Sequence, residues 1–152
     1  ILKKPLGRAE FNRLCEGFAE LVEEAVIAAP YVKGAIEFLV RNASRYKYFL
    51  LSATPKEELA EILSRRGIKR LFSRIYGAPD KKADVIKNVL SRERIAPHDA
   101  LYVGDAASDY AAARRNGVRF IARASKKISA FKNVDCIKIG DLTHLEESIG
   151  RI

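Results

Sequence analysis

An α/β fold, a parallel sheet with helices on both faces, is what this 152-residue sequence predicts, and three observations carry the prediction. Apolar runs of strand length alternate with amphipathic stretches of helix length. Few hairpin signals lie between them, so successive strands need crossover connections. The run "YKYFLLS" is apolar without alternation, the pattern of a strand buried on both faces.

The elements follow in order. Phe11, Leu14, Cys15, Phe18, Leu21, Val22 and Ala25 fall on the i, i+3, i+4, i+7 rhythm of an amphipathic helix, which Pro30 ends. A second helix over about 32–41 should carry Ile36, Leu39 and Val40 toward a core. After the strand "YKYFLLS", the stretch "TPKEELAEILSRRG" reads as a helix with Pro55 near its first turn and Gly67 just past its end. "SRIYG" is a strand candidate, and "DKKADVIKNVLSRE" a helix with Asp80 as its cap. "DALYVGD" is a strand, "ASDYAAARRNG" a helix closed by Gly117, and "VRFIA" the next strand. "VDCIKI" and "LTHLEESI" repeat the pattern once more.

Composition narrows the function classes. With 48% hydrophobic and 31% charged residues and no repeat or low-complexity tract, the chain reads as one globular domain able to bury a core. Its two cysteines, Cys15 and Cys136, have no metal-ligand spacing, and so sparse a thiol content suggests a reducing compartment. No apolar run approaches a membrane span, and "ILKKPLGRAE" lacks a secretory apolar segment, so a cytoplasmic location without membrane contact is expected. The net charge of +9 comes from Lys and Arg spread along the chain without a base-stacking or groove-reading motif. A solvated basic face is its first reading, steering of small phosphorylated molecules the second, and nucleic-acid binding the third. The chain starts at Ile1 and contains no methionine, as expected of a fragment or of a chain whose start is missing.

In open α/β sheets, ligands bind beyond the carboxyl ends of the strands. Three stretches put reactive groups there: Ser52 after "YFLL", Lys81 and Lys82 after "SRIYG", and Asp105 with Asp109 after "LYV". Each has a plain alternative. A serine after a strand usually caps a helix or closes a turn. Lysines at a helix start are usually solvated, although they oppose the helix dipole. Asp109 alone could be a first-turn acid favoured by the same dipole. The two acids together are harder to dismiss, because they crowd one strand exit unless a cation such as Mg²⁺ is shared there.

Taken together, "FLLSATP", "GAPDKKADVI" and "YVGDAASDYAAARRNGV" resemble the second, third and fourth motifs of the haloacid dehalogenase (HAD) superfamily of phosphohydrolases, from about Pro30 to Ile149. "APYVKGAIEFL" resembles the segment by which phosphoglycolate-phosphatase-like members re-enter the core after a helical cap. The resemblance thus implies a cap remnant over residues 1–29 and a Rossmann-like core over 30–152. It implies that Ser52, with the amide of Ala53, binds a phosphoryl oxygen. Lys82, or Lys81 one residue earlier, would neutralise the phosphoryl charge. Asp105 would bind Mg²⁺, and Asp109 would support the ion through water or a hydrogen bond.

The family's first motif, a DxD pair holding the nucleophile and the general acid, has no counterpart here. The aspartates are Asp80, Asp84, Asp99, Asp105, Asp109, Asp135 and Asp141, and no two are spaced two apart. Asp141 lacks a partner acid, and His98 and His144 fall away from the strand ends. The resemblance therefore implies that the central strand and its nucleophile come from another segment or chain, and that the sheet is open between the Ser52 and Asp105 strands. The function implied is an Mg²⁺-dependent phosphatase of small phosphorylated metabolites. The alternative is a non-catalytic phosphate-binding or structural module.

Overall fold

A computed structural model describes residues 7–124 and 131–152 of the chain, except for the side chains of Glu16 and Ala19. All strand pairs among the described residues are parallel, and helices connect the first four strands in chain order.

The first helix, α1 (Arg8–Ala28), stops before Pro30. Its apolar stripe faces solvent, with Phe18 at 69% and Leu21 at 72% exposure. It is fastened to α3 (Lys56–Arg65) by charge. Arg65 donates to both carboxylate oxygens of Glu24, and Arg66 donates to the carbonyls of Val26 and Ile27 in the last turn of α1. The Arg66 guanidinium also lies 4.1 Å from the centre of the Tyr31 ring.

The second helix, α2 (Ala35–Arg41), begins later than expected because Gly34 stands at φ +80°, outside helical space. Ile36 and Leu39 are half-buried, but Val40 is 58% exposed. The expectation that Val40 packs into the core therefore fails, since this short helix rests on its neighbours along one side. Gly34 touches the C-terminal segment so closely that an added Cβ would lie 2.4 Å from the Thr143 nitrogen. Gly34→Ala is expected to cost about 2–4 kcal/mol, through the left-handed backbone and the clash together. A urea midpoint for the variant within error of wild type would show that this contact yields freely.

Strand β1 (Phe49–Pro55) pairs with β2 (Arg74–Ala78) in the register Phe49↔Arg74 to Leu51↔Tyr76. The register then shifts, and the ladder resumes at Pro55↔Ala78. Ser52, Ala53 and Thr54 occupy the shifted stretch, where a bulge re-aims side chains. Pro55 ends the strand and directly precedes α3. Helix α4 (Lys82–Glu93) follows β2. Its N-cap is Lys81, with no side-chain cap, so the expected role of Asp80 is not realised: Asp80 sits one residue too early. A second sheet has the order β3 (Leu101–Gly104), β4 (Arg119–Arg123), β5 (Ile137–Ile139), with α5 (Ala107–Arg115) between β3 and β4. Helix α6 (Leu145–Ile149) ends the fold. Gly67 and Gly117, at φ +69° and +67°, close α3 and α5 as the sequence predicts.

The core gathers Ile86 from α4, Ala112 and Ala113 from α5, and Phe120, Ala122 and Phe131. The small alanines let α5 lie close to the sheet. Leu51 of β1 and Tyr102 of β3 both pack against this cluster, so the two sheets share one core. No ladder joins β1 to β3 among the described residues, and each has one edge without a strand partner. This explains why β1 is half-buried along its apolar run, where burial on both faces was expected. Among the described residues, no helix is long and apolar enough to cross a membrane.

Candidate active site

The site forms where β3 ends. Gly104 leads into an exposed Asp105, and α5 then brings Asp109 back over the strand exit. Only glycine permits that return, because a Cβ on residue 104 would lie 2.6 Å from Asp109 Cβ and 2.7 Å from its Oδ2.

Asp109 is 3% exposed and its carboxylate meets donors on every side. Its Oδ2 accepts the backbone N–H groups of Asp105 at 3.2 Å and Ala106 at 3.0 Å. This is half of a capping box, since Ala106 has no side chain to return the bond. Its Oδ1 accepts the Lys82 ammonium at 2.5 Å and the Tyr102 hydroxyl at 3.1 Å. A buried carboxylate is tolerable only with such company. The phenol of Tyr102 is pushed far above its ordinary range, first by burial and then by the charge of Asp109, so it remains a donor. Its ring stacks on Phe120 with centroids 6.2 Å apart.

Lys82 is the first residue of α4, half-buried against this carboxylate, whereas Lys81 faces solvent. Asn116 fixes the two helices relative to each other. Its Nδ2 donates at 2.9 Å both to the Ala83 carbonyl beside Lys82 and to the Ala112 carbonyl of its own helix. An open depression of about 350 Å³ adjoins the start of α4, lined by Tyr76, Asp80, Lys81 and Asp84 among others, but without Lys82 or the Asp105 loop.

Ser52 lies at the carboxyl end of β1, in the register shift. Its hydroxyl accepts the Thr54 N–H at 3.1 Å and donates to Thr54 Oγ1 at 3.0 Å, closing a local turn. Ala53 beside it is exposed. The structure thus joins Lys82, Asp105 and Asp109 in one cluster. It sets Ser52 and Ala53 at a parallel strand end, on a strand that packs against α4. No hydrogen bond links Ser52 to that cluster among the described residues. Tyr102 and Thr54 were not singled out from sequence. For Tyr102 a signal was present, because a phenol on a buried strand needs a partner for its hydroxyl.

As a metal site the arrangement is partial. No group of three or more His, Cys, Asp or Glu side chains converges among the described residues. The Asp105 carboxylate accepts no hydrogen bond there and is free to bind, whereas both oxygens of Asp109 are engaged. One hard oxygen ligand fits Mg²⁺, which keeps several waters and takes few protein carboxylates.

The haloacid dehalogenase-like hydrolase family matches residues 6–123, a span that contains Ser52, Lys82, Asp105 and Asp109. The chain belongs to that family. Solved structures agree on the fold of this HAD-like hydrolase. A predicted phosphoglycolate phosphatase from Haemophilus somnus superposes with a TM-score of 0.78 at 21% identity, over 95% of this chain and 69% of that one. A predicted beta-phosphoglucomutase from Thermotoga maritima gives 0.73 at 19%, over 98% and 72%. A haloacid dehalogenase-like hydrolase from Streptococcus pneumoniae gives 0.70 at 21%, over 93% and 71%. No curated protein matches the chain.

Proposed function

We propose that this HAD-like hydrolase is an Mg²⁺-dependent phosphatase of small phosphorylated metabolites, similar to phosphoglycolate phosphatases. The observation that carries the reading is the junction of Lys82 and Asp109 beside the uncommitted carboxylate of Asp105, at the carboxyl end of a parallel strand. A structural descendant has no physical need for a half-buried ammonium and two acids at that point.

In this reading Lys82 faces the phosphoryl group and offsets the charge that develops on its oxygens. Asp105 ligates Mg²⁺, which when bound supplies Lewis-acid stabilisation of the phosphoryl oxygens. Asp109 acts by holding both Lys82 and the Asp105 loop. Ser52 and the Ala53 amide bind a phosphoryl oxygen once the Ser52 hydroxyl turns from Thr54 to the substrate. The nucleophilic aspartate comes from a segment outside residues 1–152, running as a strand between the free edges of β1 and β3. Helix α1 is the remnant of a cap, and residues 30–152 are the core. Two free cysteines, Cys15 exposed and Cys136 half-buried, fit a cytoplasmic setting.

The test is hydrolysis of p-nitrophenyl phosphate by the full-length protein, with Mg²⁺ and after chelation. Turnover that chelation abolishes and Mg²⁺ restores is the expected result. Binding of inorganic phosphate without turnover would favour the non-catalytic module, and retention on DNA at physiological salt would favour a nucleic-acid role.

A further inference from the structure

Among the described residues, four donors bond the Asp109 carboxylate, and they fall into two pairs. One oxygen carries Lys82 and Tyr102; the other carries the amides of Asp105 and Ala106. Lys82 and Tyr102 reach the same oxygen from different elements, α4 and β3. A lysine stem is flexible and, by itself, lets a carboxylate rotate. The Tyr102 ring is not flexible, because it stacks on Phe120 in the core.

We infer that Tyr102 is a positioning residue of the site: its hydroxyl fixes the rotation of the Asp109 carboxylate, so that one oxygen holds Lys82 while the other holds the loop bearing Asp105. The inference rests on the phosphatase reading for its catalytic consequence, but its geometry does not. Tyr102 touches neither substrate nor metal in this account. It sets the spacing between a cationic group and a metal-binding carboxylate, and phosphoryl transfer depends steeply on such placement.

Tyr102→Phe separates this role from packing, because it keeps the ring and its stack and removes only the hydroxyl. In the full-length protein, hydrogen exchange at the Asp105 and Ala106 amides should quicken by roughly 3- to 10-fold, the loss of one such bond. Exchange at Ile121, fully buried in β4, should stay as in wild type. With p-nitrophenyl phosphate, kcat should fall by a similar factor while KM changes less than about twofold, as for an interaction realised in the transition state. Wild-type exchange at Asp105 and Ala106 would overturn the inference, and so would an unchanged kcat in an active enzyme. Faster exchange in a protein that never hydrolyses the ester would uphold the brace and overturn the phosphatase reading instead.

Discussion

Asp105→Asn should abolish Mg²⁺-dependent turnover while leaving the fold untouched. The carboxylate is exposed and accepts no hydrogen bond among the described residues, so folding has little stake in its charge. What Asp105 gives the local structure is its backbone N–H, bound by Asp109, and asparagine keeps that group. An amide oxygen is a much weaker ligand than a carboxylate for a hard dication. If the metal supplies several kcal/mol of charge stabilisation, its loss lowers kcat/KM by about a thousandfold or more. Thermal unfolding should be unchanged within error, and a higher Mg²⁺ requirement should accompany any residual activity. Equal turnover by the variant and wild type would remove Asp105 from the site.

Asp109→Asn should do the opposite and strike stability as well as activity. Four donors surround the carboxylate, and an asparagine can present an acceptor to only one pair of them. In either orientation its NH₂ group points at donors: at Lys82 and Tyr102, or at the Asp105 and Ala106 amides. The Lys82 ammonium, with 23% of its side chain exposed, then also loses its counter-charge. Breaking a buried pair on one side typically costs about 3–5 kcal/mol. The partial exposure of Lys82 argues for the lower end, about 3 kcal/mol, or a fall in Tm of roughly 10 °C for a chain of this size. Asp109→Ala should lose at least as much. Calorimetry on the full-length variants checks both, and a Tm within about 2 °C of wild type would mean that these four bonds contribute almost nothing net.

The two substitutions show why some of this site was legible in the sequence and some was not. The spacing from Gly104 to Asp105 and Asp109 is a local constraint: a strand exit and one helical turn suffice to set two acids near each other. Lys82 against Lys81 was a matter of register, because Lys81 is the extended N-cap and Lys82 the first helical residue, so the two side chains turn different ways. That turn is the difference between meeting Asp109 and facing solvent. Asp80 looked like a cap because its type is right, yet the backbone gives the position to Lys81. Periodicity located α1 and α2, but it names an apolar face without saying what covers it, and the exposure of Phe18, Leu21 and Val40 was therefore invisible. Tyr102 escaped notice for a related reason: its place in the apolar run from Leu101 to Val103 reads as core, and its hydroxyl finds Asp109 only after α5 folds back over β3.

The open edges of β1 and β3 follow the same logic on a larger scale. The lack of a paired-aspartate motif in residues 1–152 led to the expectation of a sheet divided between the Ser52 and Asp105 strands. Among the described residues the ladders divide there, two strands on one side and three on the other. Packing around Phe120 and Ile86 holds both parts to one core even without a shared ladder.

A crystal structure of the full-length protein with Mg²⁺ and orthovanadate tests the central claim most directly. The account predicts the metal on Asp105, and the oxyanion held by Lys82 Nζ, the Ser52 hydroxyl and the Ala53 amide, beside a strand lying between β1 and β3. An oxyanion held elsewhere, with Ser52 and Lys82 on separate sides of the molecule, would contradict it.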